Sequence, residues 1–212
     1  MPIVRRLSRV AVVSVALLGL PAIAADSPKL TKDEFYAAAY YKQAIENPTI
    51  QKIKQENGKI SAIARDIKMK PDQLKKAIEK VNALGGDPTE LAVSAVKSAL
   101  GSGRVKGRLI DVLINAEEPK HVVLYIRWTA SSAQNVIKEA AEIAYTVASE
   151  APFVSTLSLA ANHPRSAPDA KDVVWSAKIG ADRMGNIQPK RIDDYADRMY
   201  KPLFEVVDNK PF

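Results

Sequence analysis

Gly101-Ser-Gly-Arg-Val-Lys-Gly107 runs directly into Arg108-Leu-Ile-Asp-Val-Leu-Ile-Asn-Ala116, and there the spacing of apolar residues changes. Before the glycines they recur at helical intervals; after them they are dense in β-branched types and alternate. Glu117-Glu-Pro-Lys120 supplies a turn, and Val122-Val-Leu-Tyr-Ile-Arg-Trp-Thr129 forms a second extended run. In that run Val122, Leu124, Ile126 and Trp128 share one face and Val123, Tyr125 and Arg127 the other. The glycine segment 101–107 is therefore read as a hinge between a helical half, 26–100, and a sheet half, 108–212.

Working downstream, Ser131 and Ser132 precede a helix carrying Val136, Ile137, Ala140, Ile143, Ala144 and Val147. Two further strands are expected over 153–160 and 172–179, with Val173, Trp175, Ala177 and Ile179 facing inward. A last helix is expected from about Arg191 toward Val207, interrupted at Pro202, which has no backbone N–H. The ββαββα order predicts an α+β fold in which a four-stranded antiparallel sheet is covered by helix. The N-terminal helical bundle is expected to pack on or beside that sheet, where it would cover Val123, Tyr125, Val154 and Val174. The loop 162–169, with two prolines, is expected to be the most mobile connection.

Working upstream, Thr31-Lys-Asp-Glu34 is a capping box that opens a helix ending near Asn47-Pro48. Ile60, Ile63, Ala64 and Ile67 repeat at helical spacing, as do Leu74, Ala77, Ile78 and Val81. Gly85-Gly86 stops the second of these runs. Asp87 then caps a helix with Pro88 in its first position, lined by Leu91, Ala95, Val96 and Ala99.

The first 25 residues read as an export signal. Arg5, Arg6 and Arg9 precede an apolar run from Val10 to Leu20 and the small-residue stretch Pro21-Ala-Ile-Ala-Ala25. The run is short of the roughly 20 apolar residues a membrane-spanning helix needs. Leu7-Ser8-Arg9 after the paired arginines favours the unfolded-chain route, with cleavage after Ala24 or Ala25. With no cysteine in the 212 residues, neither a disulfide nor a lipid-bearing cysteine is available. The expectation is a soluble periplasmic or secreted protein held together by its apolar core, with no membrane span after the signal.

The formal net charge is +7, and the three signal arginines leave +4 for the remainder. Lys52 to Lys80 alone holds nine basic residues against Glu56, Asp66, Asp72 and Glu79. Lys68, Lys70, Lys75 and Lys76 cluster within it and are the candidate docking residues for an anionic partner. The segment Ile60 to Glu79 resembles the helix-turn-helix of DNA-binding regulators over about 20 residues. Ala64 takes the packing position, and the resemblance implies that Gln73, Lys75 and Lys76 approach the nucleic acid. Export argues against that use, because genomic DNA is not found outside the cytoplasm; no nucleic-acid partner is expected.

Signals of catalysis are sparse. His121 and His163 are the only histidines and lack metal-ligand spacing. Ser102 lies between glycines without the strand a nucleophile elbow requires. Glu117-Glu118 reads as turn chemistry, and Asp193, Asp194 and Asp197 suit the start of a helix. No cofactor motif occurs. Tyr125 and Trp175 are candidates for an aromatic ligand face, and Tyr36, Tyr40 and Tyr41 form an aromatic cluster. These readings favour a non-enzymatic adaptor or assembly factor of the cell envelope, acting on a protein or an anionic envelope component. A small-ligand or polymer-binding protein is the second expectation and an exported hydrolase the third.

Overall fold

A computed structural model describes residues 29–167 and 172–212. The expected signal, residues 1–25, lies outside the described residues. The helical half comprises α1 (Lys32–Ala44), α2 (Pro48–Gln51), α3 (Glu56–Asp66), α4 (Pro71–Ala83) and α5 (Pro88–Leu100). The sheet half holds β1 (Leu109–Asn115), β2 (Val122–Thr129), α6 (Val136–Glu150), β3 (Val154–Asn162) and β4 (Val173–Gly180). It ends with α7 (Ala181–Met184), α8 (Ile192–Tyr195) and β5 (Glu205–Asn209). No helix among the described residues is long and apolar enough to cross a membrane.

Local chemistry sets the helix starts. Thr31 Oγ1 accepts from the Glu34 N–H at 3.2 Å while Glu34 Oε2 accepts from the Thr31 N–H at 2.8 Å. Both otherwise unsatisfied donors are thus met. Asn47 and Asp87 cap α2 and α5 through Thr49 and Thr89, each with proline at the first helical position.

The fold is α+β, but the sheet differs from the four antiparallel strands expected. It has five strands in the order β1-β2-β3-β4-β5, and β2 and β3 run parallel. The cause is α6, a helix of 15 residues. At 1.5 Å per residue it carries the chain back about 22 Å, to the end where β2 began. A strand entered from that end and placed beside β2 must run parallel to it. The second departure is at the C-terminus. Helical structure stops at Leu203, just beyond Pro202, and Glu205–Asn209 pairs antiparallel with β4 instead of continuing the helix. Val206 and Val207 suit a strand.

The helical layer lies on one side of the sheet. Val112, Leu124, Ile126, Trp128, Leu157, Leu159, Trp175, Ala177 and Ile179 form a single core with Ala140, Ile143, Ala144 and Val147 of α6. Phe35 of α1 and Val96 and Leu100 of α5 belong to the same core. Phe35 stacks on Phe153 with ring centroids 3.7 Å apart. The bundle therefore extends the core beside α6 rather than covering the second sheet face. Much of that face is open: Asp111, Arg127, Ser176 and Asp208 lie along one row across it, joined through Ala160. Of the residues expected beneath the bundle, Tyr125 is exposed and Val123 half-buried, Val154 belongs to the main core instead, and Val174 is buried outside that core. A separate smaller core joins Ala37, Ile50, Ile60, Ile63, Ala64, Leu74 and Ala77 within the helical half.

The glycine segment between the halves is tethered. Arg104 Nε lies 2.8 Å from Glu142 Oε2, and its Nη2 lies 2.7 Å from Asp193 Oδ2. Its backbone N–H donates to Glu142 Oε1 at 2.7 Å. Gly103 is needed for this approach, since a Cβ there would sit 2.1 Å from Glu142 Oε1. In the loop after β3, Ser166 Oγ donates to Asp172 Oδ2 at 2.8 Å.

Candidate functional site

The lysine cluster sits on the α3–turn–α4 hairpin. Ile60, Ile63 and Ala64 on α3 and Leu74 and Ala77 on α4 point into the smaller core, which fixes the hairpin's outer face. The turn closes with the Met69 N–H donating to Ala64 O at 2.8 Å. Lys68 adopts φ 55°, the left-handed conformation that usually favours glycine. The segment is a hairpin of two helices, with Ala64 buried and Gln73, Lys75 and Lys76 exposed on α4.

Lys68, Lys70, Lys75 and Lys76 are all exposed. Lys75 approaches Glu79 at 3.9 Å, and elsewhere in the basic window Lys59 meets Glu56 at 3.6 Å and Lys80 meets Glu34 at 2.7 Å. Lys52, Lys54, Arg65, Lys68, Lys70 and Lys76 make no ion pair among the described residues. Asp66 follows Arg65 directly, and on α4 Asp72 and Glu79 lie four residues before and three after Lys76, close enough on the helix surface to offset part of this charge without an ion pair.

Beside the cluster, α1, α3, α4 and the start of α5 enclose a cleft of ≈ 380 Å³. Ala38, Ile45, Ile60, Ile78 and Val81 form its apolar lining, and Tyr41, Lys42, Glu56, Lys75, Glu79 and Asn82 its polar part. Lys75 belongs to both cleft and cluster. Tyr41 Oη donates to Glu56 Oε1 at 2.6 Å. Burial, then this hydrogen bond and the carboxylate's charge, push the phenol up to about 12. Lys42 pairs with Asp87, whose carboxyl also accepts from the Thr89 N–H and hydroxyl. Burial alone would raise the Asp87 pKa, but the bonds from Lys42 and Thr89 outweigh it and hold the carboxyl below its usual range. No sequence pattern announced this cleft.

The aromatic ligand face is divided by the fold. Tyr125 is 44% exposed beside its cross-strand neighbour Leu113, 40% exposed, on the open side of the sheet. Trp175 is 4% exposed on the other side, edge-on to Trp128 at 6.2 Å and to Phe204 at 5.9 Å. The two candidates are not brought together. Tyr36 and Tyr40 have ring centroids 6.0 Å apart, and Lys120 Nζ lies 5.4 Å from the Tyr36 ring centre.

Several other chemistry-bearing groups are engaged in the framework, whereas Asp194 and Asp197 are exposed. Glu139, 2% exposed, accepts from Trp128 Nε1 at 2.8 Å and Arg108 Nη2 at 2.7 Å. Asp193 is held by Arg104 and by Lys138 at 3.5 Å. Its hydrogen bond from Arg104 is the main influence lowering its pKa. Ser102 Oγ donates to Ala99 O, and His163 Nδ1 accepts from the Arg165 N–H. No group of three or more potential metal ligands is assembled among the described residues. Comparison with known proteins finds no matching family model, curated protein or solved structure.

Proposed function

We propose that this chain is an exported, non-enzymatic adaptor or assembly factor of the cell envelope that docks on an acidic protein surface. The carrying observation is the exposed group Lys68, Lys70 and Lys76. It lacks internal ion pairs and stands on a hairpin whose apolar face is already committed to a core. Such a surface attracts negative charge and speeds encounter more than it fixes a complex. Export is inferred from the arginines and apolar run of residues 1–25. Engagement of Glu139 and Asp193 in framework contacts supports an adaptor over a hydrolase.

The test is a pull-down from an envelope fraction with the mature chain and its Lys70→Glu/Lys76→Glu variant, repeated across a salt series. A partner retained by the wild type, released by salt and missed by the variant supports the reading. Equal recovery by both chains overturns it. Intact mass of the exported product checks the signal: retention of Met1 to Ala24 in the membrane fraction would make the apolar run an anchor.

A further inference from the structure

We infer that the cleft between α1, α3 and α4 receives an apolar side chain of that same partner, so that the recognised element is an acidic amphipathic segment lying along α4. This rests on the docking reading above and names the partner's chemistry. Lys75, Ile78, Glu79 and Asn82 all line the cleft. Their spacing of three, four and seven residues makes them one stripe of the helix surface. Lys76 lies about 100° around the helix from Lys75, and Lys68 and Lys70 sit at the end where α4 begins. A segment following the stripe would meet the apolar opening and the unpaired cations together.

The cleft's chemistry agrees with this division. Ile45 and Ile78 are half-buried in the lining; Ile78 packs against the smaller core, whereas Ile45 belongs to neither core, and core packing does not explain it. The two lining carboxylates each have a partner: Glu56 accepts from Tyr41 and faces Lys59, and Glu79 faces Lys75 at 3.9 Å. Repulsion of an acidic visitor is thereby reduced on that side, whereas Lys70 and Lys76 remain available. At ≈ 380 Å³ the cleft is near the lower end of ligand pockets, which run roughly 300–1,000 Å³. A single apolar side chain is smaller than this, so the cleft has room to admit one. An apolar anchor flanked by charge is a recurrent way for a groove to read a segment.

The probe is a labelled peptide, Glu-Asp-Leu-Phe-Asp-Glu, with a control in which serine replaces Leu and Phe, and a 20-base-pair DNA duplex as competitor. Binding kinetics are read across a salt series for the wild type, Ile45→Gln and Lys70→Glu/Lys76→Glu. Ile45→Gln should weaken the peptide about tenfold, mainly through faster dissociation, with the salt slope unchanged. The serine control should bind the wild type no better than the parent peptide binds Ile45→Gln. Lys70→Glu/Lys76→Glu should slow association and flatten the salt slope. If Ile45→Gln and the serine control bind at full strength while the lysine variant fails, the cleft inference falls and the docking reading stands. If the lysine variant binds normally, the docking reading falls with it. No peptide binding by the wild type, or tighter binding of the duplex, overturns the acidic-segment assignment. Circular dichroism of Ile45→Gln verifies that the fold is retained.

Discussion

The indole N–H of Trp128 donates to Glu139 Oε2 at 2.8 Å inside the core, tying the end of β2 to the first turns of α6. The same carboxylate accepts from Arg108 Nη2 and from the Ser131 N–H, so one side chain joins the start of β1, the end of β2 and the approach to α6. Arg108 reaches in from a part-exposed position and also donates to Thr129 O.

Removing this carboxylate should be among the most costly single changes in the chain. Glu139→Ala leaves the Trp128 N–H unmet and Arg108 without its counter-charge. Breaking a buried ion pair costs about 3–5 kcal/mol, and the part-exposure of Arg108 places this case near the lower end. Glu139→Gln keeps the shape and an acceptor for Trp128 but loses the charge facing Arg108, so it should fall between wild type and alanine. Urea unfolding followed by tryptophan fluorescence checks this. A midpoint unchanged in Glu139→Ala would mean that the hub contributes nothing.

Much of this framework is visible in the sequence where the deciding interactions are local. Thr31 and Glu34 are three residues apart, and the alternation Val122, Leu124, Ile126, Trp128 survives unchanged in the folded sheet. Strand direction is not local. The parallel pairing of β2 with β3 depends on how α6 returns the chain, which no strand sequence records. The interruption at Pro202 is legible, but β5 is not, because five residues containing Glu205, Asp208 and Asn209 carry no alternating stripe. Exposure of the lysines followed from the helical stripe beside them. The cleft did not, because Tyr41, Glu56 and Lys75 come from three different helices or their edges. Tyr125 lies one residue off the Leu124–Ile126 stripe whereas Trp175 lies on the Ala177–Ile179 stripe, so strand parity places them on opposite faces.

Tyr41 should mark the cleft in an alkaline titration. Its phenol is pushed up to about 12, first by burial and then by its bond to Glu56. The folded pKa lies above the unfolded value of about 10. The protonated form therefore contributes stability fully below pH about 10, and that contribution is lost as pH rises toward 12. In absorbance at 295 nm, a phenol titrating near 12 should be present in the wild type and missing in Tyr41→Phe. The same late phase in both proteins would assign it to another residue and remove the support for the Tyr41–Glu56 bond.

Glu34 should give the helical half an acid-sensitive joint. Burial acts to raise its pKa, yet the bonds from Lys80 and Thr31 outweigh it and leave the value lowered. With the folded pKa below the unfolded one, its contribution is complete above the ordinary glutamate range. It is lost as pH falls through the folded value. Thr31→Ala should cost about 1 kcal/mol at neutral pH by removing the cap. Glu34→Gln should flatten the loss of stability below pH about 4.3, the ordinary glutamate value. Thermal melts over a pH series read both effects, and parallel acid limbs in wild type and Glu34→Gln would show that this carboxyl does not couple folding to pH.

Arg104 should decide whether the segment between the two halves behaves as a hinge. Residues 101–107 are mostly exposed, as a flexible connection would be, but Val105 is buried and Arg104 is bonded to both Glu142 and Asp193. Two anchors on consecutive residues oppose the local opening that a protease requires. Arg104→Ala removes both side-chain pairs while leaving the backbone bond to Glu142 in place. Gly103→Ala acts on that remaining bond, because the added Cβ forces Glu142 Oε1 away. Thermolysin, which cuts before bulky apolar residues, should nick the wild type slowly at Val105. It should do so faster in either single variant and fastest in the double variant, releasing fragments that correspond to residues 26–104 and 105–212. Equal rates in all four proteins would show that Arg104 does not hold the segment closed. A first cut within 122–147 would place the weakest point inside the sheet core and abolish the division at 101–107.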